Sequence, residues 1–175
     1  RAAMVEGIRD GSVDVIATDH APHHADEKAL EFDHAPFGIV GLETCVPLCL
    51  DRLVHAGVIG LPRLVELLSV NPAKILRIPG GSLTEGSPAD MTVLAPEFGV
   101  TIDAKALRSK SANTPFDGWS LKGGVAATIV GGRKIVALGQ QWFQTFGRAG
   151  GQRRADATIQ FRPDEAEGIR RAFAG

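Results

Sequence analysis

Three things are scarce in this sequence. It has only two cysteines, Cys45 and Cys49, four apart in the apolar stretch GLETCVPLCL, where they share one face if the stretch is helical. Buried, reduced thiols are the favoured reading over a disulfide or a metal pair, and they fit a cytoplasmic protein. Charge of one sign is missing too: 19 Lys and Arg face 20 Asp and Glu, which leaves no basic footprint for nucleic acid or for an anionic membrane surface. Long apolar runs are absent. None approaches the roughly 18 residues that a membrane span needs, and no basic-plus-apolar leader is seen, so neither secretion nor membrane spanning is expected. The chain opens at Arg1 instead of a methionine, as a processed or truncated product would.

What is present reads as an ordinary soluble globular protein, with 44% hydrophobic residues set against 22% charged ones. AAMVEGIRD, residues 2–10, is rich in helix formers and is stopped by Gly11, and Val13 to Thr18 is a short apolar run of strand type. Helix into buried strand is an α/β rhythm. A polar, histidine-rich loop covers about 19–38. Leu42 to Ala56 predicts a packed helix despite Pro47, and Leu61, Leu64, Val65 and Leu68 recur at helical spacing. Asn71-Pro72 suits an N-cap followed by proline at the first helical position, opening a helix AKILRI that Pro79-Gly80-Gly81 ends. After Gly81 the texture turns to strands: Met91 to Ala95, then ATIVGGRKIV, two β-rich runs joined at Gly131-Gly132 as a two-residue hairpin. The tail from about Leu138 has no clear period before EAEGIRRAFA, a candidate last helix, and reads as a solvated extension.

The chemistry concentrates in DVIATDHAPHH, Asp14 to His24. A strand that is apolar throughout is buried on both faces, as in a parallel sheet covered by helices, and barrels of that kind carry their sites at the C-terminal strand ends. Asp19 is the first residue off that end. A carboxylate there ligates a metal or takes a proton from a metal-activated water, although an Asp after a strand is equally a turn residue. His20, His23, His24 and His34 follow within 15 residues. His20 reads as structural or supporting, His24 and His34 as solvated, and His23 as open between the two roles. Their spacing matches no zinc framework such as H-E-x-x-H, and one Asp cannot hold a catalytic metal by itself.

IATDHAPHH, KALEFDHAPFGIVGLET, LLSVNPAKIL, GSLTEGSPAD and SKSANTPFDGW, in unbroken order from about Arg1 to Val136, resemble the C-terminal part of a bacterial class I dihydroorotase of the amidohydrolase superfamily. GSLTEGSPAD is the less specific part. TDHAPH with APFGIVGLET and NTPF is the more specific, and an allantoinase or dihydropyrimidinase is expected to differ at His23 and around Phe37-Gly38. The resemblance implies an α/β fold, the last part of a metal-dependent (β/α)₈ barrel over residues 1–81, joined to part of a small β-sandwich over 82–137, with 138–175 as an extension. It implies reversible closure of N-carbamoyl-L-aspartate to dihydroorotate in pyrimidine synthesis, with a zinc site, binuclear in the complete enzyme.

On that resemblance Asp19 is both a metal ligand and the group that passes a proton to the leaving ring nitrogen. His23 hydrogen-bonds the substrate, and the backbone of Phe37 and Gly38 contacts the pyrimidine ring, close approach being easy where there is no side chain. The family's other metal ligands, and the arginine that holds the substrate carboxylate, have no counterpart here. A complete barrel takes about 250 residues, so the expectation is an incomplete C-terminal portion, inactive alone. As partners the resemblance implies a small-molecule substrate and either a homo-oligomer or a complex with aspartate transcarbamoylase. The rival reading is a non-catalytic, dihydroorotase-like scaffold for that transcarbamoylase. Retention of Asp19 and His23 favours the enzyme, because a scaffold has no chemical need for them.

Overall fold

The computed structural model describes residues 2–137; the expected extension and its candidate helix EAEGIRRAFA lie outside them. Helix α1, Ala2–Asp10, forms as its composition predicts and ends at Gly11. Val13 to Thr18 then runs extended but is not a sheet strand, a departure from the expectation. No strand among the described residues lies beside it. Three of its backbone groups are bonded to a helical run instead, as described below.

A short helix α2, Ala25–Lys28, interrupts the histidine-rich loop. The apolar stretch that follows is helical from Cys45 rather than Leu42: α3, Cys45–Cys49, passes without a break into a π-helix, Leu50–His55. Pro47 falls in the first turn, where an amide would have no partner in the helix, so it costs little there. The next apolar stretch is one continuous run, α4 (Leu61–Val65), a π-helix (Glu66–Val70) and α5 (Asn71–Leu76). Asn71 is therefore not an N-cap; its φ of −68° and ψ of −43° are helical. The widened π-turn just upstream accommodates Pro72, which has no amide to give to an i−4 carbonyl. Arg77, left-handed with φ 53°, ends the run ahead of the expected Pro79-Gly80-Gly81 stop.

Burial follows the helical periodicity. Leu50, Leu64 and Cys49 form the core, with Ile16, Leu53, Ile59, Leu61 and Leu68 packed around it. Leu50 and Leu64 are 0% and 1% exposed, and a fully buried leucine contributes about 1.5–3 kcal/mol in removed apolar surface. Three antiparallel strands complete the described fold in the order β1, β2, β3: Met91–Thr101, Ser120–Val130 and Arg133–Ala137. β1 is longer than its predicted Met91 to Ala95 because it continues through an irregularity between Ala95 and Gly99, at Pro96. The Gly131-Gly132 hairpin forms as read, with φ of +55° and +75°.

The sheet sits on the helix at Gly123, whose φ is +107° and where an added Cβ would lie 2.5 Å from the Cβ of Leu50. Two polar ties flank that approach: the Lys122 amide donates to Asp51 Oδ1 at 2.8 Å, and His55 Nε2 donates to the Pro96 carbonyl at 2.8 Å. Arg52 lies over the Trp119 ring at 5.4 Å, and Phe116 meets the same indole edge-on.

Candidate functional site

The extended segment that leads to Asp19 is held by one helical run. The Val13 carbonyl accepts from Arg63 Nη2 at 2.9 Å, the Asp14 carbonyl accepts from Asn71 Nδ2 at 2.9 Å, and the Ile16 amide donates to the Leu67 carbonyl at 3.1 Å. The π-turn explains the last of these. In an α-helix the Asn71 amide would take the Leu67 carbonyl, but here it reaches back five residues to Glu66. Leu67 is thereby free to accept from Ile16. Irregularity in the helix thus supplies an acceptor for a segment that has no sheet neighbour in the described structure.

Asp19 leaves this segment with φ +45°, a left-handed conformation that Asp tolerates better than most residues. It is exposed, and its carboxylate has no hydrogen-bond or ion-pair partner among the described residues. A turn-forming Asp usually bonds its own backbone; this one does not. His20 serves a different purpose. Its Nδ1 accepts from the amides of Gly41 and Leu42, at 3.0 and 3.4 Å, and its backbone bridges to Ile39 in parallel fashion. With Nδ1 occupied, His20 is a brace between the two loops, in line with its structural reading.

His23 is partly buried, its side chain 27% exposed and its Nδ1 3.6 Å from Glu27 Oε2. Its Nε2 lies 3.7 Å from the point where a Cβ on Gly38 would stand, so two of the residues picked out from the sequence are neighbours in space. Gly38 has φ +105°, and the same added Cβ would meet the Ala21 Cβ at 2.5 Å. Only glycine fits there without movement. The Phe37 side chain is 91% exposed. The amides of Phe37 and Gly38 donate to no acceptor among the described residues.

His24 caps α2: its Nδ1 accepts from the Asp26 amide at 3.2 Å while Glu27 Oε2 accepts from the His24 amide at 3.1 Å, a capping box with histidine in the serine position. His34 is exposed beside Glu31 and Asp33, and the ligand atoms of these three lie within 4.8 Å of one another. Exposed groups of this kind are ordinary on a protein surface, and nothing else in the structure directs an ion there.

Sequence reading missed the residue that joins the loops. Asn113 Nδ2 donates to the Ala21 carbonyl at 2.9 Å and to the Gly38 carbonyl at 3.2 Å, while its Oδ1 accepts from the His23 amide at 3.4 Å and from Ser111 Oγ. Its carbonyl also accepts from the Val40 amide at 3.1 Å. Ser111 Oγ reaches the His23 carbonyl as well, and Lys28 Nζ donates to the carbonyls of Pro36 and Gly38 at 2.8 and 3.2 Å. The only signal was the NTPF stretch itself: an amide side chain both donates and accepts, which a loop junction needs.

The resolved shifts in acidity fall outside this site. In the core, a hydrogen bond shared with Cys45, together with burial, pushes the Cys49 thiol well up, and the same bond lowers Cys45. Both cysteines are free thiols, as expected. At the sheet, Lys122, 2.7 Å from Glu97, holds that carboxyl below its usual range.

The Asp19 carboxylate fits a metal as one ligand, being exposed and free of other partners. A catalytic zinc takes about three protein ligands, so a complete site needs groups beyond those the described residues bring to Asp19. No helix among the described residues is long and apolar enough to cross a membrane.

Comparison with known proteins accounts for this arrangement. The profile of the amidohydrolase family matches residues 1–135. The dihydroorotase of Geobacter metallireducens is 56% identical over 133 residues, 76% of this chain and 31% of that protein, and that of Brevibacillus brevis is 52% identical over 136 residues, 78% and 32%. Among solved structures, the L-hydantoinase (dihydropyrimidinase) from Arthrobacter aurescens superimposes with a TM-score of 0.73 at 31% identity, covering 78% of this chain and 31% of that one. The dihydropyrimidinase from Brevibacillus agri, at 23% identity, 77% and 31% coverage and a TM-score of 0.72, shares the fold. The chain spans about a third of the length of these relatives. Amidohydrolases are generally metal-dependent, which suits the exposed, unpartnered carboxylate of Asp19. With its mixture of helix and strand and its match over nearly all the described residues, the chain is a portion of an amidohydrolase TIM-barrel fold and belongs to the amidohydrolase family.

Proposed function

We propose that the chain is the C-terminal third of a zinc-dependent dihydroorotase, with the barrel portion in residues 1–81 and the small β-domain portion in 82–137. The reaction opens a cyclic amide: water adds across the ring C–N bond, the carbon keeps the oxygen, and a proton goes to the departing nitrogen. Bound zinc supplies Lewis acidity for this step. Asp19 is one ligand and carries the proton to the ring nitrogen, for which an acceptor that no other group occupies is well suited. His23 hydrogen-bonds the substrate, and the amides of Phe37 and Gly38 donate to the pyrimidine ring.

The observation that carries this reading is the pairing of His23 with a Gly38 that tolerates no side chain, on a chain 46–56% identical to proteins named dihydroorotase. Hydantoinases share its fold at lower identity. A free Asp19 also favours catalysis over a scaffolding role, since a scaffold gains nothing from an unpaired carboxylate. The same proposal includes a cytoplasmic location and assembly as a homo-oligomer or with aspartate transcarbamoylase. This chain by itself offers one carboxylate and one loop histidine, and is expected to bind zinc weakly and to lack activity. The test is steady-state turnover of dihydroorotate, allantoin and dihydrouracil by the complete enzyme. Dihydroorotate should be preferred; faster turnover of either other ring would overturn the assignment, and inactivity on all three would favour the scaffold.

A further inference from the structure

We infer that Asn113 is a positioning residue for substrate binding, setting the separation between His23 and the Phe37-Gly38 amides; this rests on the reading of those groups as the substrate contacts. The argument is one of connectivity. Loop 19–24 and loop 36–41 carry the substrate-facing groups, and neither belongs to a sheet or a long helix. His20 braces them at one end, through Gly41 and Leu42. At the other end a single primary amide bonds both loops at once. The Nδ2 group spans the Ala21 and Gly38 carbonyls, and Oδ1 takes the His23 amide. These partners are 75 to 92 residues away in sequence. The His23 amide can only donate and the Ala21 and Gly38 carbonyls can only accept, so Oδ1 faces His23 and the nitrogen end faces the two carbonyls.

That geometry makes the two ends of the amide unequal. Asn113→Asp keeps size, shape and the acceptor for His23 and Ser111, but replaces the shared donor with a second anionic oxygen facing two carbonyls. Asn113→Ala removes every contact without adding repulsion. If Asn113 only filled space, alanine would be the worse substitution. If it positions the loops through its donors, aspartate is the worse one, because carbonyls pushed from an anion move apart.

The experiment uses the complete zinc-loaded enzyme. For Asn113→Asp, KM for dihydroorotate should rise at least about tenfold, more than for Asn113→Ala, with kcat changed less than KM and zinc content unaltered, since neither loop contact touches Asp19. Ser111→Ala should give the same pattern in weaker form. Equal KM values for wild type and Asn113→Asp, or an effect on alanine exceeding that on aspartate, would overturn the inference. A second readout needs no substrate: hydrogen exchange at residues 20–24 and 36–40 should accelerate together in Asn113→Asp while residues 2–10 stay protected. Unchanged exchange in both loops would also overturn it. Failure of the wild type to turn over dihydroorotate would instead count against the enzyme assignment, and the exchange measurement would still decide whether Asn113 holds the loops.

Discussion

Replacing Gly38 with alanine perturbs the site by one methyl group, and the structure says where that methyl goes. The new Cβ would stand 2.5 Å from the Ala21 Cβ and 3.9 Å from the Ala21 Cα, far inside carbon contact for the first, and the backbone would have to keep φ near +105°. Holding a non-glycine residue in such a conformation costs about 1–3 kcal/mol, and forcing a methyl into filled space costs about 1–3 kcal/mol more. The sum is an upper bound, because the loop will give way before both are met in full. Its movement is opposed by the bonds from Lys28 and Asn113 to the Gly38 carbonyl. A loss of about 2–3 kcal/mol in unfolding free energy, read as a lower urea midpoint at unchanged m-value, is therefore expected in the complete enzyme, together with a higher KM as the Phe37 and Gly38 amides shift away from His23.

The clash and the backbone strain separate in a second variant. Ala21→Gly removes the atom that the new methyl meets but leaves φ as it was, so the double variant should recover the packing part, about half of the loss, and no more. Two results would refute the reasoning. One is a Gly38→Ala protein within about 0.5 kcal/mol of wild type with normal KM. The other is a double variant no more stable than Gly38→Ala, which would mean that Ala21 is not what the methyl strikes.

Other consequences follow from the same structure. With Asp19 in its proposed role of ligand and base, Asp19→Asn would keep an oxygen for the metal and lose the base, so kcat in the complete enzyme should fall by about 10²–10⁴ while zinc content by elemental analysis drops only modestly; near wild-type kcat would overturn that role. At mildly alkaline pH, mass spectrometry should find Cys45 alkylated before Cys49, since the Cys49 thiol donates to its neighbour and is held protonated above its usual range; the reverse order would contradict the shared hydrogen bond. Leu50→Ala, at a site with 0% exposure under the close approach of Gly123, should cost about 2–5 kcal/mol by denaturant titration, and a loss below about 1 kcal/mol would show that the sheet does not rest on it.

Local signals were legible and distant ones were not. The Gly131-Gly132 turn and helix α1 depend on residues adjacent in sequence, and both form where composition places them. Asn71-Pro72 misleads because its local chemistry does suit a helix start, yet the run begins ten residues earlier, at Leu61. What admits the proline is a π-turn at Glu66–Val70, and ELLSV contains no breaker that would announce it. The candidate site divides in the same way. Asp19 and His23 stand out because an acid and a histidine cluster follow an apolar run, whereas Asn113 gains its role from partners 75 to 92 residues away.

The π-turn also bears on why Val13 to Thr18 looked like a strand and is not paired as one. An apolar, β-branched segment still needs acceptors and donors for its backbone, and a sheet is only one source of them. Here the helical run provides three: a guanidinium from Arg63, a side-chain amide from Asn71, and the Leu67 carbonyl that the widened turn has released. A regular α-helix through residues 66–71 would supply the first two but would keep the Leu67 carbonyl for Asn71. The irregular turn and the extended segment therefore account for each other. Asp19 stands three residues beyond the point where they meet, so the direction in which its carboxylate leaves the fold is set in part by a helix that contributes no residue to the chemistry.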